Sequence, residues 1–580
     1  MNSTQRSIGC LILLILAHLD LNAKEPAYRP ASPAKRGEPG RPLAAKHGVV
    51  VSSHYLASEL GVQVLKNGGN AVDAAVATGL ALAVVHPSAG NIGGGGFMIV
   101  YTTTGEVTAF DFREKAPLAA HGKMYLDNNE KYINDLNHEG YLSVGVPGTV
   151  AGFDLALKRF GTKSWKELAA PAVALAEEGF LLSASMANEF TSYEKDWKKY
   201  PSSAKSFLKG DGSFYAANEI WKQPDLAATL KTIAANGRDG FYQGDVARAI
   251  AKDMKNHGGL ITEEDLAKYE AKERKPVRGT YRGCDVVSMS PPSSGGTALV
   301  EMLNILEGFN LKPLGHNTAA YLHRLIETMR RGFADRARYL GDPDFNPDMP
   351  IAKLTSKQYA EHLRASINPA KASKSDSIQF NDAYESEQTT HYSVVDAEGN
   401  AVVVTYTLEY GYGSRIVADG LGFLYNNEMG DFNPIPGTTD TRGTIGTKPN
   451  LVQSGKRMLS SMTPTILAKN GKPYLLIGSP GGRTIINTVL QVVLNVVDFE
   501  MNIADAIAAK RIHHQWLPDQ VRYERNGLTD GTKKTLEAMG HTFWMYSSQG
   551  SVMGIIIDAQ TGMRYGAADP RAADGGAAGY

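Results

Sequence analysis

The strongest candidate for covalent chemistry in this sequence is the pair Thr389-Thr390, which follows a polar, Ser-rich stretch at 371–388. A threonine hydroxyl is a poor nucleophile unless a base lies beside it. A threonine at the start of a chain carries its own base, an α-amino group with a reference pKa of about 7.7–8.0, near the pH at which a general base works best. A chain break before Thr389 would therefore create nucleophile and base together. Taken alone, the pair is more typical of an ordinary strand, where β-branched residues are common.

A third threonine, Thr407, is brought to the same place by a predicted β-hairpin. Strands are predicted on both sides of the turn cluster at 396–400. A symmetric two-residue turn would place Thr390 opposite Thr407, whereas a three-residue loop with Gly399 in the left-handed region would place Thr389 there. The sequence leaves both registers open.

The elements that must position these threonines form a mixed pattern. Helical periods with Gly or Pro punctuation dominate the first two-thirds of the chain, and short strands with turns follow residue 388. The almost wholly apolar segment 71–85 predicts a buried helix, since it is too short to span a membrane and holds Asp73. The glycines at 93–96 lie after that helix and before a strand, which is the reverse of the order in a phosphate-binding loop. The pattern predicts helices and strands packed in layers.

Composition and charge exclude several classes of function. The chain has 60 Lys+Arg and 60 Asp+Glu, so nothing in its net charge favours nucleic acid or an anionic membrane as a partner. Its two cysteines, Cys10 and Cys284, form no Cys-x-x-Cys, which excludes zinc ribbons and iron–sulfur clusters. The adjacent His513 and His514 are expected to point apart, and no carboxylate lies at ligand spacing. We therefore expect no metal and no organic cofactor.

The N-terminus has the three parts of a secretory signal peptide. Arg6 precedes an apolar run at 8–19 that is too short for a membrane span, and small residues at 21–23 offer a cleavage site. We expect residues 1–23 to be removed and the protein to be exported, to the periplasm or the medium, without a stable membrane span. Residues 24–46, rich in Pro, Ala and Arg, are expected to be an extended leader.

Seven short motifs carry a resemblance to a known family. They are NIGGGGFM (91–98), DFRE (111–114), PSSGG (292–296), QTTHYSVVD (388–396), LYNNEM (424–429), LSSM (459–462) and GSPGG (478–482). In order and spacing they are similar to those of the γ-glutamyltranspeptidases. The resemblance extends from about Gly48 to Tyr580.

The resemblance implies the α+β fold of N-terminal-nucleophile hydrolases, a four-layer αββα sandwich. It also implies that a precursor cleaves its own bond between Gln388 and Thr389. The products would be a large subunit, 47–388, with a flexible linker at 371–388, and a small subunit, 389–580. Both would remain in one body.

Catalytic roles follow from the same resemblance. Thr389 would be both nucleophile and α-amino base, and Thr407 would hold its hydroxyl. Gly481 and Gly482 would offer backbone N–H groups to the oxyanion of a tetrahedral intermediate.

The implied substrate is a γ-glutamyl compound such as glutathione. Thr389 would attack its γ-amide carbonyl and expel an amine, and water or an acceptor amino acid or peptide would then take the γ-glutamyl group. This group ends in an α-carboxylate and an α-ammonium, which need a cation with hydroxyls and a set of anions. The carboxylate would be bound by Arg113, Ser460 and Ser461, and the ammonium by Glu409, Glu428 and Asp431. Taken one at a time, the arginine is more typical of a surface ion pair and the serines of a turn.

Three features depart from the family's pattern. Glu409 stands where many members carry Asn, and Gly430 replaces an aspartate common just before Asp431. The segment 438–446 has the length of a lid, but Arg442 stands where some bacterial members have the aromatic that closes the site. Water exclusion, and with it the balance of hydrolysis against transfer, is therefore left open.

Two other functions remain as alternatives. Members of the same superfamily hydrolyse glutaryl-type side chains of β-lactams, but that substrate lacks the α-ammonium, so three acids in the pocket argue against it. An exported binding protein would keep the fold without being cleaved. The retained residues Thr389, Thr407 and Arg113, together with the pair Gly481-Gly482, argue against an uncleaved binding protein.

Overall fold

The computed structural model describes residues 41–133, 135–375, 389–436 and 447–580. The strands in these ranges are β1 (Leu43–Ala45), β2 (Val49–Ser52), β3 (Gly95–Tyr101), β4 (Val107–Phe112), β5 (Phe180–Leu181), β6 (Ile220–Trp221), β7 (Lys272–Arg274), β8 (Val277–Tyr281), β9 (Cys284–Ser288), β10 (Thr390–Val395), β11 (Ala401–Thr407), β12 (Thr465–Lys469), β13 (Lys472–Ile477), β14 (Ile512–His513), β15 (Val521–Glu524), β16 (Phe543–Tyr546), β17 (Met553–Ile557), β18 (Arg564–Ala568) and β19 (Gly576–Gly579).

The α-helices in the same ranges are α1 (Tyr55–Lys66), α2 (Ala71–Val85), α3 (Thr149–Phe160), α4 (Trp165–Glu178), α5 (Ala184–Ser192), α6 (Glu194–Lys199), α7 (Pro201–Phe207), α8 (Pro224–Asn236), α9 (Asp239–Tyr242), α10 (Gly244–His257), α11 (Glu263–Ala267), α12 (Gly295–Glu307), α13 (Ala319–Tyr339), α14 (Ile351–Leu354), α15 (Lys357–Ala365), α16 (Thr484–Val497), α17 (Ile503–Ala508) and α18 (Asp530–Ala538).

Two antiparallel sheets, each with seven of the described strands, form the centre of the fold. The first has the order β1-β18-β17-β13-β12-β9-β8, and the second has the order β19-β2-β10-β11-β3-β4-β7. Successive side chains of β3 point to opposite faces: Phe97 and Ile99 pack between the sheets, whereas Met98 and Val100 pack against helices. The second sheet is therefore apolar on both faces at this strand.

Helices cover the two outer faces. α1 and α2 pack on the second sheet, α12 packs on the first sheet, and α13 and α16 pack against α12. The order of layers is thus helix, sheet, sheet, helix, which confirms the predicted α+β sandwich.

The predicted buried helix is α2, and its start explains its position. The Asn70 side chain accepts hydrogen bonds from the backbone N–H groups of Val72 and Asp73, and the Asp73 carboxylate accepts one from the N–H of Asn70. This reciprocal cap satisfies donors that would otherwise be unpaired at the helix N-terminus. Every residue of α2 is buried, because the helix packs on the second sheet and is itself covered by α1 and α4.

The start of the described chain belongs to the sandwich. Leu43–Ala45 form strand β1 and pair with β18, so the last residues of the predicted leader are part of the first sheet. The predicted signal peptide at 1–23 lies outside the described residues. Among the residues that are described, no helix is both long and apolar enough to cross a membrane.

The predicted linker is held in place where it begins. The N–H of Ala372 donates to the carbonyl of Met539, that of Ser373 to the Glu327 carboxylate, and that of Ser375 to the Asp519 carboxylate. Residues 371–375 are thus anchored partly on the predicted small subunit. The rest of the predicted linker, 376–388, lies outside the described residues.

Candidate active site

The β10–β11 hairpin settles the register that the sequence left open. Thr390 pairs with Tyr406 and Val395 with Ala401, which places Thr389 opposite Thr407. Gly399 has a φ of 98°, in the region that a residue with a side chain rarely adopts. The three-residue loop is therefore the one present, and the symmetric turn is excluded.

The two threonine hydroxyls meet at the end of this hairpin. Thr389 Oγ1 lies 3.3 Å from Thr407 Oγ1, which also accepts a 2.8 Å hydrogen bond from the N–H of Glu409. The Asn91 side chain donates to the carbonyl of Thr407 at 2.9 Å and ties β11 to the glycine-rich loop. Thr407 is thus fixed through its hydroxyl and its backbone, which leaves it well placed to orient the Thr389 hydroxyl.

A cleft of about 300 Å³ opens over this pair and collects most of the predicted site residues. Gly481 is next to the lining residue Gly482 but does not itself line the cleft. Gln388, the other side of the predicted cleavage site, and Arg442, in the predicted lid, lie outside the described residues. The side chains and backbone that line the cleft are Arg113, Thr389, Thr407, Glu409, Glu428, Asp431, Ser460, Ser461, Met462, Gly482 and Ile485.

Arg113 is buried and forms ion pairs with acids of the cleft. Its guanidinium lies 2.5 Å from the Glu428 carboxylate and also pairs with Asp431, and Glu114 is 3.5 Å away. Burial alone would lower the pKa of Arg113, but the carboxylates of these three acids raise it above its ordinary value. The cation assigned to the α-carboxylate therefore touches two of the acids assigned to the α-ammonium, which sequence alone did not indicate.

Burial also changes the acids around Arg113. It raises the pKa values of Glu114 and Glu428, and the nearby Glu409 raises both further, while the positive charge of Arg113 opposes the rise. Crowded carboxylates in a low-dielectric site share protons rather than all remaining ionised. The cleft therefore holds less negative charge than a count of its acids suggests.

The two serines have oxygens that accept hydrogen bonds from neighbours. Ser460 Oγ accepts from the N–H of Met462 at 3.1 Å, and Ser461 Oγ accepts from the Arg336 guanidinium at 2.8 Å. A hydroxyl that accepts through its oxygen keeps its proton for donation. Both serines line the cleft beside Arg113, so their protons suit a carboxylate there.

The glycine pair lies between β13 and the N-terminus of α16. Gly481 and Gly482 have φ values of 128° and 51°, both in the region that favours glycine. No described protein atom accepts a hydrogen bond from either N–H, and the helix N-terminus adds positive potential. Two free N–H groups at this position suit an oxyanion.

His391 is the histidine nearest to Thr389 along the strand, but it is not arranged as a base. Its ring contacts the hydroxyls of Thr405 at 2.8 Å and Ser393 at 3.1 Å. Burial lowers the pKa of His391 to about 3, so the ring is neutral at neutral pH. Both ring nitrogens contact these hydroxyls, so His391 organises the strand interior and does not serve as a base for Thr389.

His513 and His514 point to different partners, as expected for adjacent residues. The His513 ring contacts Asn487 and Gln515, and the His514 ring contacts Asp519. The pair therefore does not converge on one point.

Sequence reasoning missed three residues of the site. Glu114 is fully buried beside Arg113, and its position directly after the arginine was a usable signal. Met462 and Ile485 line the cleft with apolar surface. Their residue types are typical of any core, so nothing in the sequence marked them.

The chain is similar to known proteins over nearly its whole length. The sequence profile described as Gamma-glutamyltranspeptidase matches residues 57–580. The chain is 45% identical to the glutathione hydrolase proenzyme of Escherichia coli (strain K12) over 559 residues, covering 96% of each protein. It is 44% identical to the glutathione hydrolase proenzyme of Pseudomonas sp. (strain A14), covering 93% of this chain and 95% of that relative. The crystal structure of cephalosporin acylase from Bacillus halodurans has a TM-score of 0.83 at 28% identity, covering 96% of this chain and 99% of that one.

Proposed function

Because the chain belongs to the γ-glutamyltranspeptidase family, we propose that it cleaves the γ-glutamyl amide bond of glutathione and related compounds. The reaction passes through a γ-glutamyl ester of Thr389, and water or an acceptor amino acid or peptide then takes the γ-glutamyl group. The observation that carries the proposal is the Thr389 hydroxyl, 3.3 Å from that of Thr407, in a cleft with one guanidinium and several carboxylates.

Cleavage of the chain before Thr389 precedes this chemistry. In the uncut chain the nitrogen of Thr389 belongs to a peptide amide, which has no useful basicity. After cleavage the same atom is an α-amino group with a pKa of about 7.7–8.0 in the unperturbed state. It then takes the hydroxyl proton as the oxygen attacks, in the role that histidine has in other hydrolases. The arrangement of His391 away from the hydroxyl supports this assignment.

The proposed reaction has two balanced steps. Thr389 Oγ1 bonds to the γ-carbonyl carbon, its proton moves to the α-amino group, and the N–H groups of Gly481 and Gly482 bind the oxyanion. The carbon–nitrogen bond then breaks, and the departing amine takes the proton. In the second step water or an acceptor amine attacks the ester, and Thr389 regains its hydroxyl proton.

The charges of the cleft suit a zwitterionic donor. The α-carboxylate is taken by Arg113 with the hydroxyl protons of Ser460 and Ser461. The α-ammonium is taken by Glu409, Glu428 and Asp431. An incoming zwitterion replaces part of the Arg113 ion pairs with a similar set, so it enters without leaving a buried charge unpaired.

The alternative within the superfamily is a glutaryl-type acylase. Similarity to the acylase from Bacillus halodurans makes the fold uninformative on this choice. A glutaryl group would bring a carboxylate but no cation. The carboxylates of the cleft would therefore still repel one another after it binds. The acid-rich pocket therefore favours γ-glutamyl donors.

The two predicted subunits are expected to stay together after cleavage. In the second sheet, β10 pairs with β2, and β11 pairs with β3. Both hairpin strands of the small subunit thus lie between strands of the large one. Separation would break these two backbone ladders as well as the β19–β2, β1–β18 and β12–β9 pairings, and it would expose both apolar faces of the second sheet. The signal-like pattern at 1–23 supports export of this assembly to the periplasm or the medium.

Thr407→Val tests the orientation of the nucleophile. Valine keeps the shape of the side chain but removes the hydroxyl beside Thr389. We expect kcat for L-γ-glutamyl-p-nitroanilide to fall about 100-fold, because the attacking hydroxyl loses the group that positions it. KM should rise by a smaller factor, because the N–H of Glu409 loses its acceptor. Thr405→Val is the matched control, since Thr405 lies on the same strand as Thr407 but its hydroxyl contacts His391 of β10. An equal loss of kcat in both variants would contradict a specific role for Thr407.

Two measurements on the unmodified protein test the proposed function. Intact masses under denaturing conditions should give two chains, the smaller beginning at Thr389. Release of p-nitroaniline from γ-glutamyl and glutaryl anilides should favour the γ-glutamyl donor about 100-fold or more, the scale of a lost buried charge contact. A single uncut chain without activity would overturn the proposal. Two chains that prefer the glutaryl donor would support the acylase alternative.

A further inference from the structure

Glu409 is held in an unusual conformation at the wall of the cleft. It is a non-glycine residue with a φ of 78°, two residues after the end of β11. Its N–H donates to Thr407 Oγ1 at 2.8 Å, and its carboxylate is buried and lines the cleft. A left-handed conformation in a residue with a long side chain persists only where the surroundings hold it. Neighbouring groups must therefore hold Glu409 in this conformation.

His138 contacts Glu409 from outside the cleft. Its Nδ1 lies 3.3 Å from Glu409 Oε1, and the side chain of His138 is 8% exposed. The imidazole stacks on the ring of Tyr410, the next residue, with centroids 4.9 Å apart and planes 18° apart. His138 itself does not line the cleft.

One side-chain amide joins the loops that carry these two residues. Asn427 donates through Nδ2 to the carbonyl of His138 at 3.1 Å, and its Oδ1 accepts from the N–H of Tyr410 at 3.0 Å. The loop of His138 and the loop of Glu409 are therefore held at a set separation. The backbone positions of the two loops therefore bring the His138 and Glu409 side chains together.

Gly430 completes the arrangement by having no side chain. A Cβ at this position would lie 2.3 Å from His138 Nδ1 and 2.8 Å from Glu409 Oε2. Any larger residue would force the imidazole and the carboxylate apart. Glycine is required at residue 430 for steric reasons, because the His138 and Glu409 side chains fill the space that a side chain there would need.

The neighbours of this contact are mostly acidic. Arg113 forms its ion pairs with Glu428, Asp431 and Glu114. Glu409 interacts repulsively with Glu114 and Glu428. Tyr125 also feels the Glu409 charge, and Tyr410 stacks on the imidazole. A carboxylate that lies close to other carboxylates tends to bind a proton unless a group that stabilises its negative charge lies beside it.

On the basis of the proposed function, we propose that His138 is a positioning residue that keeps Glu409 ionised and aimed into the cleft, and so selects donors with an α-ammonium. The imidazole does not touch the donor. It compensates the Glu409 charge from behind and leaves the carboxylate to attract the ammonium in front. Gly430 provides the space that the pair requires.

The test compares two donors that differ only in the α-ammonium, L-γ-glutamyl-p-nitroanilide and glutaryl-p-nitroanilide. For His138→Leu we expect kcat/KM of the γ-glutamyl donor to fall about tenfold, mainly through KM, with less than about a twofold change for the glutaryl donor. His138→Asn places an N–H group near the position of Nδ1 and should recover most of the loss. Gly430→Ala separates the pair without changing any charge, and it should lower the same donor ratio.

His257→Leu is the matched control. That histidine also stacks on a tyrosine, Tyr141, and lies 3.0 Å from a carboxylate, Asp253, but none of the three lines the cleft. We expect it to leave both donors unchanged. If His138→Leu is not cleaved into two chains, His138→Asn and Gly430→Ala still report the donor ratio.

If His138 had only a structural role, His138→Leu would lower kcat/KM for both donors by the same factor. This result would overturn the inference. An unchanged donor ratio in Gly430→Ala and His138→Leu would do the same. Either outcome leaves the proposed function intact as long as the unmodified enzyme is cleaved and favours the γ-glutamyl donor. An uncut and inactive unmodified protein would instead overturn the proposed function.

Discussion

Thr389→Ala is expected to remain a single uncut chain and to lose amide hydrolysis by about 10⁶-fold, the scale seen when a hydrolase loses its nucleophile. The variant lacks the hydroxyl that attacks the donor. Since it is not cleaved, it also lacks the free α-amino group that serves as base. Intact mass under denaturing conditions and p-nitroaniline release from the γ-glutamyl donor measure the two losses separately.

Two further variants distinguish the effect of losing the Thr389 hydroxyl from the effect of disturbing the adjacent strand. Thr389→Ser keeps a hydroxyl at the same atom and should be cleaved, slowly, with partial activity. Thr390→Val is the matched control, because its buried hydroxyl bonds to Ser53 rather than to the cleft residues. We expect two chains and activity within about threefold for this control. Two chains from Thr389→Ala, with the smaller one beginning at residue 389, would show that another group cuts the chain.

Local patterns explain why much of the fold could be predicted. The apolar run that becomes α2 is preceded by Asn70 and holds Asp73, which together form the cap that starts the helix. The hairpin was predicted from two β-branched runs around a turn cluster. Its register needed one more piece of information, the backbone conformation of Gly399, and composition alone does not state which residues adopt positive φ.

The candidate site was predictable as a set of residues but not as a set of contacts. The resemblance named Arg113, Glu428 and Asp431 as binding groups for opposite ends of a zwitterion. In the structure they bind one another, because a buried charge is stable only when an opposite charge lies beside it. A sequence lists possible partners for a ligand and does not state which of these residues pair with one another.

The contact of His138 with Glu409 was beyond sequence reasoning for a different reason. His138 is far from Glu409 along the chain, and no periodicity links a loop histidine to the end of a remote strand. The departures at Glu409 and Gly430 were visible in the sequence, but each looked independent. Only the geometry joins them, since the missing side chain at 430 makes room for the imidazole beside the carboxylate.

The second large effect is expected for Arg113→Gln, which should lower kcat/KM for the γ-glutamyl donor by about 10³-fold, largely through KM. Glutamine keeps hydrogen-bonding capacity but removes the charge that meets the α-carboxylate. Arg113 also opposes the rise in the pKa values of Glu114 and Glu428. Without it these acids bind protons more readily at neutral pH, so the attraction for the α-ammonium falls as well. The glutaryl donor should lose the carboxylate contact alone and therefore decline less.

Arg113→Lys distinguishes the effect of the positive charge from the effect of the planar guanidinium shape. The ammonium restores a positive charge but not the planar fork that reaches two carboxylates at once, so we expect recovery of about tenfold at most. Arg457→Gln is the matched control, because Arg457 is an equally buried cation that pairs with Asp111 and does not line the cleft. Loss of a buried cation should cost that variant about 3–5 kcal/mol of stability while KM stays near its original value. If Arg113→Gln and Arg457→Gln raise KM by the same factor, then Arg113 acts through the general stability of the fold and the carboxylate of the donor is bound elsewhere.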